Sequence, residues 1–277
     1  MASEWIRRHA EQSLKRILPR LESELKTSIS RAPEAWRDFE LRLHREFPPL
    51  FEILLELYGG RYDFFYHLES LLAAAAASWM NRSQELKALD AEREAHPDWF
   101  QGQEMVGGVL YVDLFSDNLA GLGEHIDYFK ELGLTYLHLM PLFAVPRDNS
   151  DGGYAVSDYR AVNPELGTME QLTEVATRLR REGISLVLDF VFNHTSNEHA
   201  WALSAASGDP EYQEFYHIFP DRELPNEYER HLRDIFPTVR KGSFTWHEGM
   251  GKWVWTTFNS FQWRSEERRV GKECRSR

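Results

Sequence analysis

Three polar residues, Asp189, Asn193 and His194, close an apolar run that reads from Ile184 through Phe192 and ends at Thr195. A carboxylate, an amide and an imidazole at one strand exit are placed where a ligand would meet them. Taken singly, an Asp in this position often caps a turn and a His beside it is often a structural hydrogen-bonding group. A second polar stretch, Ser150-Asp151-Gly152-Gly153-Tyr154, precedes the run, and its glycine pair makes a turn whatever its neighbours do. Phe258 and Gln262 lie in an aromatic-rich stretch further along.

The elements that must position these residues follow from periodicity. The run ending at Asp189 is short, β-branched and apolar on both alternations, so it is expected to be a strand buried on both faces, as in parallel sheets covered by helices. Chemistry in such folds collects at the carboxyl ends of the strands. Upstream, Gly107 to Leu114 reads as a first strand, Leu119 to Leu132 as a helix closed by Gly133, and Thr135 to Met140 as a second strand. A long loop, a helix from about Met169 to Glu182 and the run itself complete a strand-helix-strand-helix-strand series. Repeats of this unit build either an open doubly wound sheet or a closed barrel. No Gly-x-Gly-x-x-Gly turn follows the first strand, which removes the usual dinucleotide reading.

Residues 1–95 read as a helical domain. Leu14, Ile17, Leu18 and Leu21 keep helical spacing, and Pro19, Pro33 and Pro48-Pro49 are expected to divide the segment. A single long helix is expected from Tyr62 to about Glu94, with Ala73 to Ala77 letting a neighbouring helix approach closely. This domain carries no cluster of chemistry-bearing residues, so it reads as scaffold or interaction surface. Residues 96–195 form the first part of the α/β region. Residues 196–263, rich in Trp, Tyr and Phe, are too long for a structureless loop and read as an inserted subdomain, with a strand over Lys252 to Thr257.

The 277 residues carry a net charge of −12 and 13% aromatic side chains. That balance argues against nucleic acid or an anionic membrane as partner and suits a neutral, hydroxyl-rich ligand. A single cysteine, Cys274, excludes an intramolecular disulfide framework, and the amino terminus has no signal-peptide core. A cytoplasmic protein is expected.

The loop Ser150 to Arg160, with Val162-Asn-Pro-Glu-Leu-Gly-Thr168 and Asp189-Phe-Val-Phe-Asn-His194, resembles the α-amylase superfamily, glycoside hydrolase family 13. Within it the resemblance is to the amylosucrases, through Met140-Pro-Leu-Phe143, Asn193 to His199, Tyr216 to Asp221, Trp253 to Trp263 and the helical amino-terminal domain. It implies an α/β fold: a helical domain, then the first three strands of an incomplete (β/α)8 TIM barrel with an inserted subdomain after the third. It implies glucosyl transfer from sucrose to an α-1,4-glucan. The alternatives are sucrose hydrolysis, another glucosidase or isomerase activity of the superfamily, or a non-catalytic fragment. Sucrose and α-glucan are the implied partners, with no cofactor and no metal.

A glucosyl unit has hydroxyls on its edge and an apolar face, so its subsite needs polar partners at the rim and an aromatic platform. By resemblance, Tyr154 and Phe258 would sandwich the ring, and His194 would bond its hydroxyls. Gln262 would line the pocket, and Asp151 would close its floor by pairing with a downstream arginine. Asp189 would support the rim, and Asn193 would hold the loop. Retaining glycosidases also need two carboxyl groups about 5–5.5 Å apart. The superfamily supplies these from later strands, so no catalytic residue is expected here and the chain is read as truncated and inactive. Residues 264–277, with six bases and three acids among fourteen, read as a tail unrelated to the family, which leaves Cys274 without functional meaning.

Overall fold

The computed structural model describes residues 4–238, 240–256 and 258–266. The chain divides between Pro97 and Asp98 into two compact units. The first is helical: α1 (Glu4–Glu24), α2 (Lys26–Arg31), α3 (Pro33–Tyr58), α4 (Phe64–Asn81) and α5 (Gln84–Ala95). Its core is apolar, with Leu14, Ile17 and Leu21 from α1 meeting Phe39, Phe47 and Phe51 from α3 and Leu68, Leu72 and Ala76 from α4. Two expectations fail here. Pro19 and Pro48-Pro49 do not divide helices but lie inside α1 and α3. The buried stripe runs unbroken past each of them, so tertiary packing outweighs the lost backbone bond. The expected long helix is instead two, because Arg82 is extended and Ser83 caps α5 by accepting from the Leu86 N–H. Among the described residues, no helix is long and apolar enough to cross a membrane.

The second unit opens with β1 (Gly107–Leu110), α6 (Val112–Ser116), α7 (Leu119–Glu124), α8 (Ile126–Glu131) and β2 (Tyr136–Leu139). A short hairpin, β3 (Phe143–Ala144) and β4 (Asp158–Val162), then leads to α9 (Met169–Arg181) and β5 (Ser185–Leu188). Strands β1, β2 and β5 form one parallel sheet in register, with Leu110, Leu139 and Leu188 side by side at its carboxyl edge. Leu122, Ile126 and Phe129 from the first crossover and Leu172, Val175 and Leu179 from α9 bury against Leu137 and Leu139. Thr168 starts α9 with a capping box closed by Gln171. This is a partial (β/α)8 barrel.

The first strand ends sooner than its sequence suggests, because Val112 begins a helix rather than continuing the ladder. The third is also shorter and is not buried on both faces. Ser185–Leu188 are all half-buried, and Phe190 and Phe192 stay exposed past its end. One sheet face is covered by α7, α8 and α9, whereas the other is only partly covered. After β5 come β6 (His194–Ser196), α10 (Ala200–Ala206), α11 (Pro210–Gln213), β7 (Ile218–Phe219), α12 (Glu223–Glu229), β8 (Phe244–His247), β9 (Lys252–Trp255) and β10 (Gln262–Arg264). Strands β7, β9 and β8 form an antiparallel ribbon, and β10 returns to pair with β6. The ladder goes on past the position where the family-like sequence was expected to stop. Ser265 donates its N–H to the Asn193 carbonyl and Glu266 to the Phe215 carbonyl. The remainder of the expected tail, with Cys274, lies outside the described residues.

Candidate functional site

The site grows from the pairing of β6 with β10. Gln262 stands opposite Ser196 and Arg264 opposite His194, so Gln262 and His194 are diagonal neighbours on one face. Both are fully buried. Gln262 Oε1 accepts from the Asn259 N–H at 2.9 Å, which fixes the amide, and its Nε2 donates to Asp151 Oδ2 at 2.8 Å. Asp151, for which an arginine partner was expected, thus has a partner within this chain.

Asp151 is brought there by the loop between β3 and β4. Its own φ is +50°, followed by +66° at Gly152 and +95° at Gly153. A Cβ on Gly153 would lie 2.8 Å from Pro141 Cβ, so only glycine lets the loop pack against the end of β2. Left-handed backbone at a non-glycine residue is costly, and Asp bears it better than most. Tyr159 bolts the same loop to the exit of β5, its hydroxyl donating to the Val191 carbonyl at 2.5 Å. Its place in the Asp158-Tyr159-Arg160 strand gave no sign of this role in the sequence.

His194 has both ring nitrogens engaged. The Asn193 amide donates to Nδ1 at 2.9 Å, which puts the ring proton on Nε2, 3.1 Å from the Tyr154 carbonyl that accepts it. Gln262 Nε2, also 3.1 Å from His194 Nε2, is then a packing neighbour, since both nitrogens carry hydrogens. Burial pulls the His194 pKa down to about 4, although the Tyr154 carbonyl and Asp151 act against it. The ring is therefore a neutral donor near neutral pH. Phe258 meets it edge-on, with ring centroids 5.2 Å apart.

Asp189 stands beside the Tyr154 hydroxyl. Burial raises the Tyr154 pKa, and the Asp189 carboxylate raises it further, so the phenol keeps its proton. The seven residues singled out from the sequence thus form one connected group. Asp151, His194 and Gln262 meet through side chains, Tyr154 joins through its carbonyl and hydroxyl, Phe258 through its ring, and Asn193 and Asp189 at the edges. The group joins protonated donors, an acidic acceptor and aromatic faces, the combination that binds a polyhydroxylated ring. Asn259, which orients Gln262, is a further member that the sequence did not single out. Its only signal is the three-residue spacing to Gln262. Among the described residues no group of three or more His, Cys, Asp or Glu could hold a metal ion.

The model of the alpha amylase catalytic domain matches residues 89–267. A trehalose synthase of Pimelobacter sp. (strain R48) is 33% identical over 171 residues, which cover 58% of this chain and 28% of that protein. The trehalose-6-phosphate hydrolase of Escherichia coli (strain K12) is 35% identical over 134 residues, covering 46% and 23%. Among solved structures, a mutant of MutB in complex with sucrose aligns with a TM-score of 0.52 and 27% identity, covering 61% of this chain and 30% of that one. The chain thus spans about a quarter of the length of the curated relatives it matches.

Proposed function

This chain belongs to the alpha-amylase catalytic-domain family, and from that premise we propose that it is the amino-terminal part of an amylosucrase-like enzyme acting on sucrose. The observation that carries the reading is the cluster of half-buried Asp151 with buried Gln262 and His194 at the carboxyl edge of the parallel strands, with Tyr154 and Phe258 beside it. Neutral His194 offers Nε2–H to a glucosyl hydroxyl in place of the Tyr154 carbonyl. Asp151 accepts from hydroxyls on the same edge of the sugar, and Phe258 with Tyr154 gives the ring an apolar surface.

The reaction itself is a retaining substitution at the glucosyl carbon. A carboxylate displaces fructose, whose leaving oxygen takes a proton from a second carboxylic acid, and the glucosyl ester is then passed to a glucan hydroxyl or to water. Later parts of the parent protein supply those two groups, and the residues above hold the glucosyl ring. The helical unit and the aromatic stretch through Trp263 favour the amylosucrase type, and the likeness to a sucrose-bound structure favours sucrose as donor. A second reading, a sucrose isomerase, draws on the likeness to a trehalulose synthase.

The test is sucrose turnover by the open reading frame that contains this segment. Fructose release with growing glucan supports the proposal, fructose with equal free glucose points to a hydrolase, and an isomeric disaccharide points to the second reading. Intact sucrose, with turnover of another α-glucoside, sinks the sucrose assignment.

A further inference from the structure

The ribbon of β7, β9 and β8 has two unlike faces. One is aromatic: Phe244 and Trp246 pair with Trp255 and Trp253, and Arg222 sits over the Trp253 ring. The other carries Thr245, His247, Val254 and Lys252, whose ammonium donates to Gln213, and the first three face a cleft of about 310 Å³ completed by Asn149, Asn197, Ser260, Phe261 and Trp263. Phe261 and Trp263 flank Gln262, so the cleft lies on the opposite side of β10 from the cluster described above.

The polar lining has free capacity. Among the described residues, the side chain of Asn149 has no hydrogen-bond partner, and Asn197 takes part only in a long contact with Ser196. His247 Nδ1 accepts from the Met250 N–H, which leaves Nε2–H as the open edge of the ring, and the ring packs edge-on against Trp263. No aspartate, glutamate, lysine or arginine lines the cleft. The neighbouring clefts differ: one is lined by Asp113, Asp117 and Glu165, the other by Arg147 and Glu165.

We infer that this cleft is a second saccharide site, holding one pyranose unit of a neutral glucan outside the candidate active site. Two amides, the Ser260 hydroxyl and an imidazole present donors and acceptors with no carboxylate, lysine or arginine among them, while the Thr245 hydroxyl is already held by Arg240 and Thr256, a set that matches a neutral polyol. The volume is at the lower end of small-ligand pockets, enough for a single sugar ring. Half-buried Phe261 supplies the apolar wall that a pyranose face requires, whereas Trp263 is almost fully buried. The choice of an α-glucan rests on the proposed function, whereas the neutral-saccharide class rests on the lining.

The test uses the 277-residue chain in native gels containing glycogen, and maltotriose titrations followed by tryptophan fluorescence. The chain should be retarded by glycogen, and the N149A/N197A double variant should bind about ten-fold more weakly, as expected for losing two or three hydrogen bonds. Asn149 is exposed and unpaired, so N149A alone keeps the fold and should show a smaller loss in the same direction. Q262A, which alters the first site, should keep the retardation, and glucose 6-phosphate should fail to compete with maltotriose. No retardation of the unaltered chain, equal binding by the double variant, or loss confined to Q262A would overturn the inference. Failure of sucrose turnover with glycogen binding intact would count against the proposed function alone.

Discussion

The two units bury their side chains in opposite ways. In the helical unit the buried set is apolar apart from Ser13, whereas in the α/β unit His194, Thr195, Ser196, His199, Ser243, Thr256, Gln262 and Ser265 are all buried. A buried polar group destabilises a fold unless it is hydrogen-bonded, so a dense set of them marks a place kept for something other than stability. They lie between residues 194 and 265, where β6 and β10 and the segments beside them build the site. The helical unit stabilises by area, and the α/β unit spends part of its core on geometry.

Hydrogen exchange with peptide-level readout can break that comparison, because it follows each unit within the intact chain. Truncating the fully buried Phe47 should cost the helical unit about 3–5 kcal/mol. Protection would be lost in α1, α3 and α4, and a loss centred on β6 and β10 instead would contradict the assignment of separate cores. Acid should do the reverse. Burial holds His194 and His199 near pKa 4, below the ordinary 6.5, so between those values the unfolded chain binds protons that the folded chain refuses. Stability of the α/β unit is therefore full above pH 6.5 and falls as pH drops toward 4, by up to about 3 kcal/mol per histidine.

The helical unit has a different acid response. The Arg61 guanidinium, hydrogen-bonded to Asp63, holds that carboxylate well below its ordinary 3.8, so its contribution is lost only below that value. After correction for intrinsic exchange rates, protection between pH 6.5 and 4.5 should decline in the second unit and hold in the first. Equal decline in both would remove the distinction. A smaller effect sharpens it within the site: Gln262→Ala leaves Asp151 without its amide partner and should cost about 1–3 kcal/mol, seen as faster exchange in the 150–157 loop. The smallest is Ser83→Ala, which removes the cap of α5 and should lower stability by about 1 kcal/mol, confined to α5.

Much of this was legible in the chain. Short apolar runs and glycine stops located the three parallel strands and α9, while the first crossover, read as one helix from Leu119 to Leu132, is α7 and α8 with a break at His125. The ends of elements were less legible. Val112 could extend a strand or start a helix, and Pro49 inside α3 reads as a break unless the flanking buried stripe is known to be continuous. Asp151, Tyr154, His194 and Gln262 could be named from their motifs. Their mutual contacts could not, since Tyr159 and Asn259 act through backbone carbonyls and amides that leave no mark on residue type.

The bond from Gln262 to Asp151 joins residues 111 positions apart. During synthesis, the three parallel strands and their crossover helices are complete once Leu188 has emerged, but the cluster lacks its central amide until Gln262 follows. Closing so long a loop is a late entropic step that needs a preformed scaffold to reward it. The candidate-site cluster is thus assembled last, on a sheet that has already folded.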